Sequence, residues 1–274
     1  MTERLRLDLS ASRAKVLRAR QHLDELYGQI DRLFESQHPY SVRWGAIDQD
    51  GWVPLYLTLH NVAGTHLGVI VGDVMHNLRS ALDYIVAQLT LASGAALRRQ
   101  QFPIYALRSS YVRDQGTPDH PKKAHAIQGV ACGLTDIEAV QPYHLTDGGG
   151  DPHADPLWHV HRFSNADKHR EIAAQMFPID KVHLRASYVG GQVTDEWQER
   201  KSPPWSPGSE YEFRRVRFAP PFPTEIVQEG EIALSVVFAI SPLSDETQPH
   251  GIGTEVLVDC CTRVSGIIDR FESL

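Results

Sequence analysis

The sequence predicts an α+β protein, in which a bundle of about four helices packs with a mainly antiparallel β-sheet. Apolar residues at three- and four-residue spacing indicate amphipathic helices, mainly in 1–176 and 254–274. Segments rich in β-branched and aromatic residues, mainly within 41–60 and 181–241, indicate antiparallel strands. We expect one continuous domain over 1–274, because the amphipathic last helix needs the earlier helices to cover it.

The composition is that of an ordinary globular protein, which excludes collagen-like and wholly disordered chains. The 274 residues include 27 Lys and Arg against 34 Asp and Glu, and the formal net charge of −7 argues against a protein that coats nucleic acid non-specifically. Three cysteines cannot form a disulfide framework or a four-thiolate zinc site, so we expect a cytoplasmic protein.

No membrane partner is expected. The charged N-terminus lacks the apolar stretch of a signal peptide. The most apolar-rich window, Leu67–Leu91, contains four polar groups that a lipid-facing helix would not carry: Asp73, His76, Arg79 and Asp83.

The first half of the chain predicts helices around one hairpin. The turn-type cluster Asp48–Gly51 joins two strands, and Thr65 can begin the second helix. From Arg98 to about Ala124 we expect an irregular stretch that holds most of the early prolines. The expected elements are helix Ser10–Ser36, strands Ser41–Ala46 and Trp52–His60, helix Thr65–Leu91 and a short helix Thr135–Val140.

In the second half, Gly148–Gly150 indicates a flexible joint before a further helix. Asp155 as N-cap and Pro156 at the first helical position are a good helix start, and we expect this helix to reach about Met176. The remaining expected elements are strands Val182–Tyr188, Tyr211–Phe218 and Ile232–Ile240, and a last helix Glu255–Phe271.

The second helix carries an unusual polar stripe opposite its apolar face. A solvated helix face would more often hold Lys and Glu than short hydrogen-bonding groups. Asp73 and His76 stand at i, i+3, and His76 and Asp83 at i, i+7, so all three lie on one stripe. The stripe indicates either part of a site or a structural histidine held by its neighbours.

The helix that begins at Asp155 predicts the main site. Trp158, Arg162, Asn165 and His169 stand at i, i+4, i+7 and i+11 and share one face. An arginine there can hold a phosphate through two hydrogen bonds, and a histidine can move a proton near neutral pH. The alternative is a capped, salt-bridged structural helix. The groups expected around this face are Asp73, His76, Asp83, Asp167 and Lys168.

The spacing of Arg162 and His169 resembles the Arg-x(4–6)-His signature of the HEPN superfamily (higher eukaryotes and prokaryotes nucleotide-binding domains). The resemblance implies metal-independent RNA cleavage, without a cofactor, by paired motifs that meet across a homodimer. In that case Arg162 would hold the scissile phosphate, His169 would act as acid or base, and Asn165 would orient the ligand. Separately, His76–Asp83 and Asn165–Arg170 are similar to recurring segments of uncharacterised bacterial proteins.

A metal-dependent enzyme is the first alternative. Its best version is a mononuclear site built from Asp73, His76 and His169, because a carboxylate and an imidazole at i, i+3 are a metal-binding pattern of helical bundles. His159 and His161 project about 200° apart on a helix, so they cannot share an ion there.

A non-catalytic module that binds a nucleotide or a protein is the second alternative. Arg214, Arg215 and Arg217 could form an anion-binding patch, although such a run is more often a solvated strand edge. The chain has no dinucleotide-binding, Walker or nucleophile-elbow motif, and we predict no cofactor.

Overall fold

The computed structural model describes residues 7–37, 40–60, 65–116, 126–167, 172–198, 208, 210–240 and 251–274. It confirms the α+β class, with more helices than the four expected. The α-helices of the described residues are α1 (Ser10–Gln37), α2 (Thr65–Ala92), α3 (Arg108–Gln115), α4 (Leu134–Ala139), α5 (Pro156–Ala166) and α6 (Thr254–Glu272). The strands are β1 (Tyr40–Trp44), β2 (Trp52–Leu59), β3 (Ile172–Val189), β4 (Gln192–Gln198), β5 (Glu210–Ala219) and β6 (Glu225–Ile240).

The chain divides into two compact units. The helical unit comprises Met1–Tyr27, Thr65–Ala173 and Phe238–Leu274. The sheet unit comprises Gly28–Gly64 and Ala174–Val237. The single continuous domain expected from the sequence stays a prediction.

The core of the helical unit is built where α2, α5 and α6 pack against one another. The apolar face predicted for the second helix is fully buried, which explains why this helix forms where its periodicity indicates. No helix of the described residues is both long and apolar enough to cross a membrane. The buried apolar residues of α2 include Val71, Val74, Leu78, Ala81, Leu82, Ile85 and Leu89.

Two glycines on α2 let another segment approach its backbone closely. A Cβ on Gly68 would collide with the carbonyl oxygen of Ile172, and a Cβ on Gly72 would collide with the carboxylate of Asp167. Gly68 and Gly72 are one turn apart, so both contacts lie on one face of α2. The chain on either side of residues 168–171 is thereby fixed against α2.

The helix expected from Asp155 to about Met176 is wrong in its second half. Asp155 caps α5 as predicted, because its side chain accepts a hydrogen bond from Leu157 N–H at 2.8 Å with Pro156 in the first turn. However, α5 ends at Ala166 and β3 begins at Ile172. The contacts at Gly68 and Gly72 explain the difference, since a tertiary approach of this kind overrides local helix propensity.

Two other expectations are corrected in the helical unit. The irregular stretch expected between Arg98 and Ala124 contains α3, which carries no apolar periodicity for the sequence to reveal. The triple glycine expected to form a flexible joint ends the 3-10 helix Pro142–Gly148 instead. Gly149 has a φ of 78° there, a left-handed conformation that favours glycine after a helix.

The sheet unit contains a four-stranded antiparallel sheet in the order β1-β2-β5-β4. The predicted hairpin is confirmed, with Tyr40 opposite Leu59 and Trp44 opposite Leu55. The sequence did not predict β4. β3 and β6 form a separate two-stranded sheet. The hydrophobic cluster of this unit is built from Val53, Val216 and Phe218, with Trp44, Tyr188 and Ile226 packed against it.

The solvated strand edge expected at Arg214–Arg217 is wrong, because β5 lies between β2 and β4. Its arginines are tied to neighbouring strands and turns. Arg214 forms an ion pair with Glu196 at 2.7 Å, and Arg217 donates a hydrogen bond to the Asp50 carbonyl at 2.8 Å. These contacts give the arginines a structural role within the sheet.

Candidate functional site

A cavity of about 430 Å³ lies in the helical unit beside α5. Its volume falls in the usual range for small-molecule sites, which are mostly apolar with a few convergent polar groups. This cavity has the same character. Its lining includes the side chains of Arg79, Tyr105, Arg113, Gln115, His153, Trp158 and His161, together with the segment 101–107.

The segment 101–107 forms one wall of the cavity without regular secondary structure. Gln141, which is 1% exposed, holds this wall through its amide. The Gln141 Nε2 donates to the Pro103 carbonyl at 2.8 Å and to the Ile137 carbonyl at 2.9 Å, while Oε1 accepts from Tyr105 N–H at 3.0 Å. Backbone groups that lack strand or helix partners are thus satisfied by one buried side chain.

Arg79 brings a cation from α2 to the cavity. Its side chain is only 12% exposed. Nη2 donates to the Phe102 carbonyl at 2.8 Å, and Nε lies 3.3 Å from the Asp83 carboxylate. Burial lowers the pKa of the guanidinium, and the Asp83 charge opposes this effect. Asp83 also accepts a hydrogen bond from Phe102 N–H at 2.8 Å, so it ties α2, Arg79 and the wall together.

Two residues of the cavity lining carry a buried polar atom that has no hydrogen-bond partner within the described part of the chain. These atoms are Arg79 Nη1 and Gln115 Oε1. Gln115 is 4% exposed, and its Nε2 donates to the Tyr105 hydroxyl at 3.0 Å. A buried polar group without a partner costs about 1–3 kcal/mol. Most buried polar side-chain atoms in folded proteins are paired, so each exception calls for an explanation, and a catalytic role or a bound ion is one of those known.

Trp158 on α5 holds two imidazoles at the cavity. The His161 ring is stacked on the indole at 5.4 Å between centroids, and the His153 ring lies edge-on at 5.1 Å. The side-chain nitrogen of Asn165 lies 3.2 Å from His161 Nε2. His153 Nδ1 lies 3.0 Å from Asp151 Oδ1, so a carboxylate orients this ring.

The rim of the cavity adds a further cation and a phenol. The Arg113 side chain is 69% exposed and contacts the neighbouring Asp114. Burial raises the pKa of Tyr105, whose hydroxyl is held by Gln115. At neutral pH the cavity therefore combines two guanidinium cations with a neutral phenol, an indole and two imidazoles. This combination suits an anionic ligand that also carries a planar or apolar part.

The structure describes only part of the site predicted from the sequence. Arg162 is half-buried and Asn165 exposed, both on α5. Lys168 and His169 lie outside the described residues, so the helical phase that placed His169 on the Arg162 face is not supported by α5, which ends at Ala166. The i, i+7 relation of this pair stays a prediction.

On α2 the predicted stripe separates into different environments. Asp73 and His76 are exposed, whereas Asn77 is buried and donates to the Asp73 carbonyl at 2.8 Å. Asp83 reaches the cavity through Arg79. Asp167 lies against Gly72.

Sequence reasoning missed or set aside the groups that line the cavity. His161 was discounted because it does not share a face with His159, although it shares one with Trp158 and Asn165. The i, i+4 spacing of Arg79 and Asp83 could have been noticed as an ion pair. Nothing in the sequence places His153 against Trp158 or singles out Gln115, because their proximity to α5 comes from tertiary structure.

The metal-binding alternative finds no cluster in the described residues, where no three His, Cys, Asp or Glu side chains are arranged to hold an ion. The site of Asp73, His76 and His169 stays a prediction, because one of its members lies outside those residues. The three cysteines are free thiols, and burial raises the pKa of Cys261 to about 11. A thiol of that kind is a poor nucleophile and a poor metal ligand at neutral pH.

In comparisons with protein-family models, curated proteins and solved structures, no match to this chain was found. The HEPN relationship therefore stays a prediction that rests on the spacing of Arg162 and His169. Function has to be argued from the residues of the cavity, since a fold class alone does not specify it.

Proposed function

We propose that the cavity beside α5 binds a phosphate-containing ligand of the nucleotide class. The observation that carries this proposal is the Arg79 guanidinium, which is nearly nine-tenths buried in the lining and has one nitrogen without a partner among the described residues. A phosphate oxygen that reaches this group would supply the missing acceptor. Hydrogen bonds between a guanidinium and a phosphate are among the strongest in proteins.

The rest of the lining suits the non-phosphate part of such a ligand. Phe102, Pro103, Ile104 and Leu107 offer apolar contacts, and Gln115 Oε1 offers an acceptor for an N–H or O–H donor. A ligand with an anionic end and a planar polar end would use both kinds of group. Nucleotides have both, whereas inorganic phosphate has only the first.

Metal-independent RNA cleavage is the second candidate function, and it would use a different face of α5, because Arg162 and Asn165 are not among the residues that line the cavity. It is favoured by the HEPN-like spacing on and after α5, in which Arg162 would hold the phosphate, Asn165 would orient the ligand and His169 would act as acid or base. The homodimer and the cytoplasmic location implied with it belong to the same proposal. Sedimentation equilibrium tests the homodimer. A protein that is purely monomeric at micromolar concentration would contradict it.

The experiment that tests the proposal is calorimetric titration of the whole chain with AMP and with ribose 5-phosphate. We expect binding of both, and a loss of at least tenfold in affinity in Arg79→Gln. The matched control is Arg18→Gln, which removes an exposed arginine of α1 that donates a hydrogen bond to Gln21 at 3.3 Å and does not line the cavity. If Arg79→Gln does not fold, the same measurement is made on Arg79→Lys, which keeps the positive charge but loses the planar guanidinium group that can donate two parallel hydrogen bonds. Equal affinity in wild type and in a folded Arg79 variant would overturn the proposal.

Repeating the titration after dialysis against EDTA distinguishes the arginine-based site from the metal-dependent alternative. Binding that is unchanged after dialysis against EDTA supports the arginine-based site. Binding that disappears with the chelator and returns with a divalent metal would favour the site of Asp73, His76 and His169.

A further inference from the structure

We propose that Gln115 selects the ligand of the cavity beside α5, and that this ligand carries, besides its phosphate, an amino group on an aromatic ring. This inference rests on the proposed phosphate-binding function and deepens it, because it names the chemistry of the uncharged part of the ligand. Arg79 would recognise the anion, and Gln115 would distinguish one planar group from another.

Gln115 is the last residue of α3 and lines the cavity. It is 4% exposed, and its Oε1 atom has no hydrogen-bond partner among the residues that the structure describes. An amide oxygen has two lone pairs, and it is unfavourable to leave both unpaired away from water. A ligand donor that reaches Oε1 would remove this cost.

The other end of the Gln115 amide is already bonded, which determines the atom that is left for a ligand. Nε2 donates to the Tyr105 hydroxyl at 3.0 Å. Burial raises the pKa of this hydroxyl, the hydrogen bond with Gln115 lowers it, and a hydrogen bond with Asp114 raises it. The opposite directions mean that Gln115 donates to the phenol oxygen while Asp114 accepts the phenol proton. The amide therefore presents an acceptor, Oε1, to the ligand.

Both partners of this amide are themselves held in place. Arg113 contacts the two oxygens of Asp114 through Nε at 2.7 Å and Nη2 at 3.1 Å, so Asp114 stays a carboxylate that only accepts. The backbone N–H of Tyr105 donates to Gln141 Oε1 at 3.0 Å. Because the acceptor is fixed before a ligand arrives, little ordering of the protein opposes binding.

The other groups of the lining limit the kind of donor that fits. Arg79 and Arg113 repel a cationic donor such as an ammonium group, and a ligand carbonyl would set two acceptors against each other. An amino group on an aromatic ring is uncharged at neutral pH and donates hydrogen bonds. The Trp158 indole and the His161 ring stacked on it line the same cavity, and they offer aromatic surface to such a ring.

The experiment compares AMP with purine riboside 5′-monophosphate, which has a hydrogen atom in place of the amino group and is otherwise the same molecule. Calorimetric titration of the whole chain should give an affinity at least about tenfold higher for AMP, because the analogue leaves Oε1 unpaired. The ratio of the two affinities is the quantity compared, since a loss that affects both nucleotides equally does not change it.

Three variants assign the selection to the Gln115 acceptor. Gln115→Leu removes the acceptor and should bring the ratio below about twofold. Gln115→Glu keeps an acceptor oxygen, so it should retain the preference for AMP even though its charge weakens the binding of both nucleotides. The matched control is Gln128→Leu, which replaces a half-buried glutamine outside the cavity lining and should leave the ratio unchanged.

If wild type binds the two nucleotides equally, the proposed selection is wrong while the phosphate-binding function stands. A preference for AMP that persists in folded Gln115→Leu, or that Gln128→Leu removes as well, would contradict the role of Gln115. If Gln115→Leu does not fold, the ratio in wild type and in Gln115→Glu decides, since both must keep the preference. If neither nucleotide binds, the phosphate-site proposal itself fails.

Discussion

Arg79 of the helical unit and Arg43 of the sheet unit are held in different ways. The side chain of Arg43 is 58% exposed, and it meets both oxygens of Glu210 at 2.5 and 2.6 Å. In the helical unit, Arg79 is more deeply buried than Arg43, yet Nη1 has no partner among the described residues. A cation whose charge is matched by a neighbouring carboxylate on the surface serves the fold. A buried cation with an unmet hydrogen bond in a cavity lining is the group on which the proposed ligand site depends.

The irregular backbone of the two units shows the same difference. The sheet unit closes its backbone hydrogen bonds by strand pairing, as in the register between β2 and β5. The helical unit leaves the segment 101–107 irregular and satisfies part of it with side chains from Gln141 and Asp83. Buried side-chain bonds of this kind are costly to remove, so the helical unit should be the more sensitive to polar substitutions.

The largest effect on stability is expected from Gly68→Ala, which tests the close approach of the Ile172 backbone to α2 in the helical unit. The added Cβ would collide with the Ile172 carbonyl, a backbone atom that cannot swing away. We expect a loss of about 3 kcal/mol in the free energy of unfolding, typical of overpacking. Gly266→Ala on α6 is the control, because nothing lies within 4 Å of its added Cβ. It should stabilise the protein by about 0.5–1 kcal/mol. Urea unfolding measures both, and a neutral Gly68→Ala would contradict the close approach.

The next largest effect is expected from Gln141→Leu, which removes three hydrogen bonds to backbone groups of the helical unit. Leucine is similar in size but leaves buried carbonyls and an N–H unpaired, so we expect a loss of about 2 kcal/mol. Gln21→Leu on the exposed face of α1 should change stability little. Thermal unfolding of both variants measures the difference in stability. Equal melting temperatures of Gln141→Leu and Gln21→Leu would contradict the stabilising role of the Gln141 hydrogen bonds to the cavity wall.

An alkaline titration should also act mainly on the helical unit. Burial raises the pKa of Tyr105, Tyr111 and Tyr143 in this unit and of Tyr188 in the sheet unit. A folded-state pKa above the ordinary value of 10.0 means that stability is complete below pH 10 and is lost as the pH rises above it. We expect the melting temperature to fall between pH 10 and 11.5.

The matched variants for the alkaline titration are Tyr111→Phe and Tyr188→Phe. Tyr111→Phe should flatten the alkaline fall more than Tyr188→Phe, because Tyr111 is 2% exposed whereas Tyr188 is half-buried. If Tyr188→Phe flattens the fall of the melting temperature with pH more than Tyr111→Phe does, the sheet unit is the more alkali-sensitive of the two units, which would contradict this prediction.

The smallest effect is expected from Arg43→Gln in the sheet unit. Arg43 is 58% exposed. Its ion pair with Glu210 replaces contacts that both charged groups would otherwise make with water, so the pair contributes little to stability. The urea midpoint should stay within measurement error of wild type, at low and at high salt. A large drop would show that the paired surface charges of the sheet are not minor contributors, and would weaken the contrast with Arg79.

The fold could be predicted where local patterns and tertiary structure agree. The apolar face of α2, the Asp155 cap of α5 and the Asp48–Gly51 hairpin each carry their own signal, so their elements appear where periodicity and turn residues indicate. The last helix follows the same rule. These features depend on neighbours in sequence, which a single chain displays directly.

The site was only partly predictable, because its groups are brought together by tertiary contacts. Arg79 and His153 are far apart in sequence and meet at a cavity whose wall has no periodic pattern. The end of α5 depends on Gly72, a residue on another helix. The sequence did single out Asp83, Trp158 and Asn165, because short polar and aromatic side chains are unusual on otherwise ordinary helix faces.

The manner in which Gln141 holds the cavity wall has a consequence for how this protein can diversify. Its bonds go to the Pro103 carbonyl and to Tyr105 N–H, which are atoms that nearly every amino acid possesses. Side chains at positions 104 and 105 can therefore change without loss of these bonds, and the wall would keep its course. Selection for a new ligand could act on this segment while one distant glutamine preserves the architecture.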